Sequence, residues 1–256
     1  MKLELLKAFK NKLASGYVLG PFCKTTDPAM IETLGYVGMD FVILDLEHGP
    51  GDNADLGGLI RAAEAAACFP IVRVGDRSAI GRALDQGALG VQVPHISSAA
   101  EAEATVRAAR FAPEGTRGVC RYVRAAAYGQ TDRFAYFKQA NEALVILQIE
   151  GREGLDQLDA ILEVPGFDLI FVGVYDLSQS LGLTGQVEHE RVQEALRSVA
   201  ARCAAKGMAV GTFVEDAETA GRMARLGLRY LCYSVDVSLL ALAGSQAVQS
   251  VREASS

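Results

Sequence analysis

The sequence predicts a single-domain α/β fold, a (β/α)8 or TIM barrel preceded by an N-terminal helix. Three observations carry that expectation. Eight short apolar segments alternate with longer helical ones along the chain. The apolar segments are continuous rather than broken by alternating polar residues, as parallel strands covered on both faces require. A length of 256 residues with 50% hydrophobic content suits one large core of this kind, so residues 1–256 read as one domain. The rival is an open doubly wound sheet. Its dinucleotide-binding version is disfavoured because no Gly-x-Gly-x-x-Gly follows the first strand.

The elements follow in order. Leu5, Phe9 and Leu13 recur at helical spacing and predict an amphipathic N-terminal helix. The first strand runs from Tyr17 to Phe22, and Asp27-Pro28, a cap followed by a first-turn proline, opens a helix to about Gly38. Phe41 to Leu44 is a buried strand, and alanine-rich Asp55 to Ala67 a helix. Strand Pro70 to Val74, helix Ser78 to Gln86 and strand Leu89 to Val93 come next. Ser98-Ala99-Ala100-Glu101 has the spacing of a capping box and opens a helix to about Arg110. Phe111 to Gln130 breaks the rhythm: it is rich in glycine and arginine and has no period, which in a compact domain points to function. A helix from Thr131 to Asn141 leads into strand Leu144 to Ile149, helix Gly154 to Leu162 and strand Leu169 to Val172. Helices near Leu177 and from Glu190 to Lys206 follow. Strands Met208 to Phe213 and Tyr230 to Tyr233 are each followed by a helix, from Asp216 and from Val237.

Composition excludes several classes of function. A net charge of −6 gives the chain no overall basic character to recruit nucleic acid. No apolar run is long enough to cross a bilayer, and lysines interrupt the first sixteen residues, Met1 to Gly16, so they do not read as a signal peptide. Five scattered cysteines form no Cys-x-x-Cys pair, which argues against a disulfide framework or zinc knuckle and fits a reducing cytoplasm.

In this fold, chemistry sits where strands end. The second strand runs into Asp45-Leu46-Glu47-His48, the third carries Arg73, the fourth ends in Pro94-His95, the fifth in Gln148-Ile149-Glu150, and the sixth leads to Gly173-Val174-Tyr175-Asp176. Ionisable groups therefore cluster on one rim. Glu150 and Asp176, carboxylates on neighbouring strands without a cysteine or clustered histidines, suit a hard cation such as Mg2+ or Mn2+ that polarises a 2-oxo acid. They serve equally as helix-leading caps. Arg73 suits an enolate oxygen or a carboxylate, or a structural ion pair. His48 suits proton transfer, or a hydrogen-bonded place in a loop. Asp85 could orient that imidazole, although periodicity puts it on a helix surface. His95 reads as a packed rim histidine. No strand end in this reading carries a lysine.

In order, Asp45-Leu46-Glu47-His48-Gly49, Arg73, Leu84-Asp85-Gln86-Gly87, Arg117-Gly118, Gln148-Ile149-Glu150 and Gly173-x-x-Asp176-Leu177-Ser178 give the chain a resemblance over nearly its whole length to the HpcH/HpaI aldolases. These are metal-dependent 4-hydroxy-2-oxo-acid aldolases of the phosphoenolpyruvate/pyruvate-binding barrels. The resemblance implies reversible cleavage of a 4-hydroxy-2-oxo acid to pyruvate and an aldehyde through a pyruvate enolate, with Mg2+, Mn2+ or Co2+. It implies metal ligation by Glu150 and Asp176. Gln148 and the backbone of Gly173, Val174 and Tyr175 would hold the pyruvate moiety. Arg73 would stabilise the enolate, and His48 would act as the base, tuned by Asp85. It also implies no Schiff-base lysine, and a homo-oligomer, typically a hexamer that exchanges C-terminal helices.

Three departures leave the enolate's partner open. Gly173-Val174 stands where the family has Gly-Pro before the metal aspartate, the first strand ends in Gly20-Pro21-Phe22-Cys23-Lys24, and the irregular segment carries Arg121 and Arg124. These two arginines are candidates for an anionic distal group on the second substrate, or form a solvated loop face or subunit contact. The alternatives to an aldolase are a citrate-forming or decarboxylating enzyme that uses an oxaloacetate-derived enolate, and a non-catalytic metabolite-binding barrel.

Overall fold

A computed structural model describes residues 2–255. Met1 and Ser256, the ends of the expected domain, lie outside the described residues. The elements are α1 (Leu3–Ser15), β1 (Val18–Cys23), α2 (Pro28–Tyr36), β2 (Phe41–Asp45), α3 (Asn53–Ala65), β3 (Phe69–Arg73), α4 (Ile80–Asp85), β4 (Gly90–Val93) and α5 (Ala99–Ala109). Then come α6 (Arg133–Ala140), β5 (Leu144–Ile149), α7 (Arg152–Asp156), α8 (Leu158–Leu162), β6 (Leu169–Val172) and α9 (Val174–Ser180). The chain finishes with α10 (Glu190–Ala205), β7 (Ala209–Val214), α11 (Ala217–Arg225), β8 (Tyr230–Val235) and α12 (Asp236–Ala254). The strands close in sequence order, β1 to β8, and β8 pairs back onto β1; every pairing is parallel.

All eight expected strands are present. The differences from expectation are local. α3 starts ahead of Asp55, because Asp52 caps it and Asp55 reaches back to the Asp52 N–H at 3.0 Å. At α5 the expected box is only half formed. Ser98 accepts from the Glu101 N–H, but the Glu101 carboxylate turns to the N–H and hydroxyl of Ser97. The helix expected from Gly154 to Leu162 is two short helices that meet at Gln157. The irregular stretch between Phe111 and Gln130 contains only a distorted 3-10 segment, Arg124–Gly129.

Although the strands read as unbroken apolar runs, their side chains still alternate in direction. Val42, Leu44, Val72, Val91, Val145 and Ile170 face outward into the layer beneath the helices. Phe41, Ile43, Phe69, Ile71, Ile146 and Phe171 fill the barrel interior. Continuing in twos along the inward series reaches Lys24, Asp45, Arg73, Gln92, Gln148, Gly173 and Glu215 at the strand ends. Strand register levels them: Asp45 pairs with Arg73, and Arg73 with Gln92. Apolar layers therefore carry a polar layer at the C-terminal mouth.

α1 closes the opposite mouth. Leu6, Phe9 and Leu13 enter the interior cluster, Phe9 stacks on Phe69 at 4.2 Å between centroids and meets Phe41 edge-on at 6.1 Å. α12 behaves differently. It contacts β1 and β8, while Val237, Leu240, Leu242, Val248 and Val251 remain exposed. Among the described residues, no helix is long and apolar enough to cross a membrane.

Phe9→Ala should leave a cavity in the barrel floor and cost about 3–5 kcal/mol. Urea unfolding should show a lower midpoint with little change in slope. A loss below about 1 kcal/mol would mean that α1 is not part of the cooperative barrel.

Candidate active site

The site begins with the in-register pair. Arg73 donates from Nε to Asp45 Oδ1 at 2.8 Å and from Nη2 to Oδ2 at 2.6 Å, a bidentate fork. Its Nη1 lies 3.2 Å from Glu47 Oε2, and its plane covers the Phe22 ring at 4.3 Å. The Asp45 side chain is fully buried and also accepts from the Glu47 and His48 N–H groups and from Lys24 Nζ. Burial alone would raise the Asp45 carboxyl. Hydrogen bonds and charge from Arg73, then Lys24, outweigh it and hold the group at about 2. The same pairing, with Glu47 and Glu150, raises Arg73 against its own burial.

The second centre is Glu150. Its Oε2 accepts from Gln148 Nε2 at 2.5 Å, and its Oε1 accepts the His95 N–H at 2.8 Å. Burial pushes its carboxyl upward and the nearby Asp176 adds to that, while Gln148 and His95 oppose. Gly173 follows β6 so closely that a Cβ there would lie 2.6 Å from Glu150 Oε2. Glycine at this position lets the backbone stand directly against the carboxylate. Behind Gln148, a buried chain of polar groups crosses the barrel. Gln92 Nε2 donates to Gln148 Oε1 at 2.6 Å, and the Tyr230 hydroxyl donates to Gln92 Oε1 at 3.2 Å.

These groups surround a cavity of about 300 Å3. Gln148, Glu150, Gly173, Val174, Tyr175 and Asp176 form one wall, Lys24, His48 and Arg73 contribute to another, and Phe22, Phe171, Phe213 and Val235 supply apolar surface. At its edge, Tyr175 donates its hydroxyl to Glu215 Oε2 at 2.8 Å; burial and Glu215 push the phenol up to about 12. A larger surface cavity, about 520 Å3, opens at the other end of the molecule beside Lys10, Asp168 and Arg229, where Lys10 and Asp168 are already paired at 3.1 Å. Of the strand-end groups, Lys24, Arg73, Gln148, Gly173 and Glu215 line the smaller one.

The structure gathers His48, Arg73, Gln148, Gly173, Val174, Tyr175, Glu150 and Asp176 around this cavity. It does not bring Asp85 there. Arg117 Nη2, from the irregular segment, holds Asp85 Oδ1 at 2.6 Å, and no hydrogen bond among the described residues reaches the His48 ring. Arg124 is likewise engaged, donating to Glu64 Oε2 at 2.5 Å and to the Gln86 carbonyl at 3.0 Å. Arg121 donates to the Gly129 carbonyl and lies over the Tyr122 ring. Neither arginine lines the cavity. His95 is not packed: its side chain is 66% exposed and bridges Glu47 Oε1 at 3.0 Å and Glu150 Oε1 at 2.9 Å. Its φ of 59° is a left-handed backbone that non-glycine residues rarely adopt except where the surroundings impose it.

Sequence reasoning passed over Lys24, Gln92, Glu215 and Tyr230 as site residues. Lys24 directly follows β1 and lines the cavity, so one strand end does carry a lysine. The missed signal was the count in twos from Phe22 and Phe213, which points both Lys24 and Glu215 inward. Asp236 was also missed; it is buried and accepts from the N–H groups of Lys24 and Thr25, both at 2.9 Å, tying β1 to the start of α12.

Among the described residues no three His, Cys, Asp or Glu side chains form a ready metal cage. Glu150 and Asp176 still fit a hard divalent cation. Such ions are held by one or two carboxylates and keep other positions for water and substrate oxygens. The raised Glu150 carboxyl, packed against the Gly173 backbone with Asp176 nearby, is the kind of group a cation would stabilise as an anion.

A family model described as HpcH/HpaI aldolase/citrate lyase matches residues 19–243. A hydroxypyruvate/pyruvate aldolase from Paraburkholderia phytofirmans is 37% identical over 96% of this chain and 100% of its own length. A 2-keto-3-deoxy-L-rhamnonate aldolase from Salmonella gallinarum is 36% identical over 99% of this chain and 98% of its own. The crystal structure of an HpcH/HpaI aldolase/citrate lyase family protein from Burkholderia cenocepacia superposes with a TM-score of 0.91 at 37% identity, covering 96% of this chain and 99% of that one.

Asp45→Asn should cost about 3 kcal/mol, because it leaves the Arg73 charge buried against a neutral amide. The folded value of Asp45, about 2, lies below its ordinary 3.8, so its stabilisation is complete above pH 3.8 and is lost as pH falls toward 2. Urea titrations between about pH 2 and 4 should therefore show a flatter pH dependence in Asp45→Asn than in the wild type. Equal slopes would mean that the pair does not govern acid stability.

Proposed function

The chain belongs to the HpcH/HpaI aldolase/citrate lyase family, and from that premise we propose that it is a class II pyruvate aldolase, cleaving a 4-hydroxy-2-oxo acid reversibly into pyruvate and an aldehyde. The observation that carries the reading is the cavity itself. One wall presents Gln148, Glu150 and the Gly173–Asp176 turn, and the other groups facing it include Arg73 and His48.

The cleavage needs a proton taken from the C4 hydroxyl, a C3–C4 bond broken with release of the aldehyde, and the electron pair held on the pyruvate half as an enolate until C3 takes up a proton to give pyruvate. His48 is assigned the proton: it is the histidine that lines the cavity, and an imidazole exchanges protons near neutral pH. Arg73 has five N–H donors. Two point at Asp45, so the guanidinium stays fixed while others remain for an enolate oxygen. Gln148 and the backbone of Gly173, Val174 and Tyr175 are assigned the 2-oxo-acid carboxylate. A divalent cation, Mg2+, Mn2+ or Co2+, held by Glu150 and Asp176 would supply Lewis-acid polarisation of the 2-oxo group. Asp85 is assigned no direct part, since its carboxylate is committed to Arg117.

We assign the enzyme a homo-oligomeric form. Val237, Leu240, Gly244, Val248 and Val251 share one face of α12, and its four large apolar side chains are at least half exposed. A second copy of the chain is the occupant that suits this stripe, and a hexamer is the form the resemblance implies. The five cysteines are free thiols, four of them buried, which suits a reducing compartment such as the cytoplasm.

Pyruvate release should be followed from a panel of 4-hydroxy-2-oxo acids with each cation and with a chelator. The chelator should stop release and added cation restore it. Glu150→Gln should fall by more than the roughly 10–100-fold that follows loss of an outer-shell partner. Chelator-resistant turnover would overturn the metal assignment; release from oxaloacetate alone would replace the aldolase by an oxaloacetate-enolate enzyme. A Leu240→Glu/Val251→Glu double variant should shift the protein to a smaller species in light scattering, and an unchanged mass would refute the α12 interface.

A further inference from the structure

We propose that Lys24 is the specificity-determining residue for the electrophile, selecting aldehydes that carry an oxygen function, carboxylate or hydroxyl, beside the carbonyl. The inference rests on the aldolase reading and names the substrate class of its second half.

Lys24 is placed with care by its surroundings. Its backbone N–H and that of Thr25 are both held by buried Asp236, and its ammonium by Asp45. An ammonium has three donors, and Asp45 is its one partner among the described residues, so two donors remain on a wall of the cavity. Asp45 is shared with the Arg73 fork, and Arg73 also meets Glu47 at 3.2 Å, so the carboxylate that Lys24 contacts already has a second cationic partner.

The location of Lys24 decides what it can meet. In a closed barrel of eight strands, β1 stands opposite β5, which carries Gln148 and leads directly into Glu150. A 2-oxo acid seated at Gln148 and Glu150 therefore extends its C4 end across the mouth toward β1. The surface along that path is apolar, with Phe22, Phe213 and Val235 contributing. An alkyl aldehyde would leave the Lys24 donors desolvated and unpaired, whereas a carboxylate or hydroxyl would satisfy them, and a site built to hydrogen-bond an oxygen rejects the analogue without it. Arg121 and Arg124 do not compete for this role, because neither lines the cavity.

The test compares wild type, Lys24→Met and Lys24→Arg in aldol addition of pyruvate to glyoxylate, D-glyceraldehyde and propanal, with oxaloacetate decarboxylation as a measure of the enolate half alone. Thermal melts establish that each variant folds, and Lys24→Arg keeps the question answerable if Lys24→Met does not. In Lys24→Met the preference in kcat/KM for glyoxylate and glyceraldehyde over propanal should shrink by about tenfold or more, through the aldehyde KM. Decarboxylation should fall less than glyoxylate addition, and Lys24→Arg should retain most of the preference. An unchanged preference, or losses equal for all three aldehydes and for oxaloacetate, would overturn the proposal by showing that Lys24 acts only through Asp45 and Arg73. A wild type that joins pyruvate to none of the aldehydes, with oxaloacetate still decarboxylated, would remove the aldolase reading and this subsite together.

Discussion

The two-residue period of the strands is the constraint on which the rest of the molecule depends. Every second side chain must enter a closed interior, and that interior cannot be polar except where water or a partner reaches it. Phe41 and Ile43, then Phe69 and Ile71, meet the requirement with apolar bulk, and the next inward step on each strand meets it with Asp45 and Arg73 satisfying one another. The buried ion pair is tolerable because its geometry is bidentate and the remaining Asp45 valences are taken by backbone N–H groups and Lys24. Chemistry thus becomes available at one mouth of the barrel without a hole in its core.

The two mouths divide the labour. At the lower one, Phe9 on α1 fills the interior and stacks on Phe69, so that end is devoted to stability. At the upper one the inward residues are ionisable, one backbone is held left-handed at His95, and a glycine stands against a carboxylate. Each of those choices sacrifices local comfort for position, which is the usual mark of a site rather than of a core.

Most of the fold was legible in the sequence because the strands are long enough, apolar enough and regularly enough interrupted to be counted. Helix starts were legible where a side chain caps locally, as at Asp27, and less so where neighbouring donors compete for one glutamate, as at Glu101, which accepts from Ser97. The ordered motifs located the groups around the cavity, since each sits within a residue or two of a strand end. What could not be read was which partners long side chains choose across loops of no fixed period. Asp85 and Arg124 are drawn away by Arg117 and Glu64, residues distant in the chain, and nothing local announces those pairs. Lys24 escaped because the expected strand stops at Phe22, while the strand continues one residue further, through Cys23.

The polar chain across the barrel has a direction. Tyr230 gives its proton to the Gln92 oxygen, Gln92 offers its NH2 to Gln148, and Gln148 offers its NH2 to Glu150. Neither amide can rotate end for end on its own, because the neighbour would then face like with like, and an anionic Glu150 accepts only the donor end. The carboxylate at the mouth therefore sets the sense of both amides, and the tyrosine on the far side of the interior, whose hydroxyl can give or accept, follows them. The barrel interior acts here as a keyway: it carries orientation, not charge, inward from the mouth through groups that no loop needs to hold.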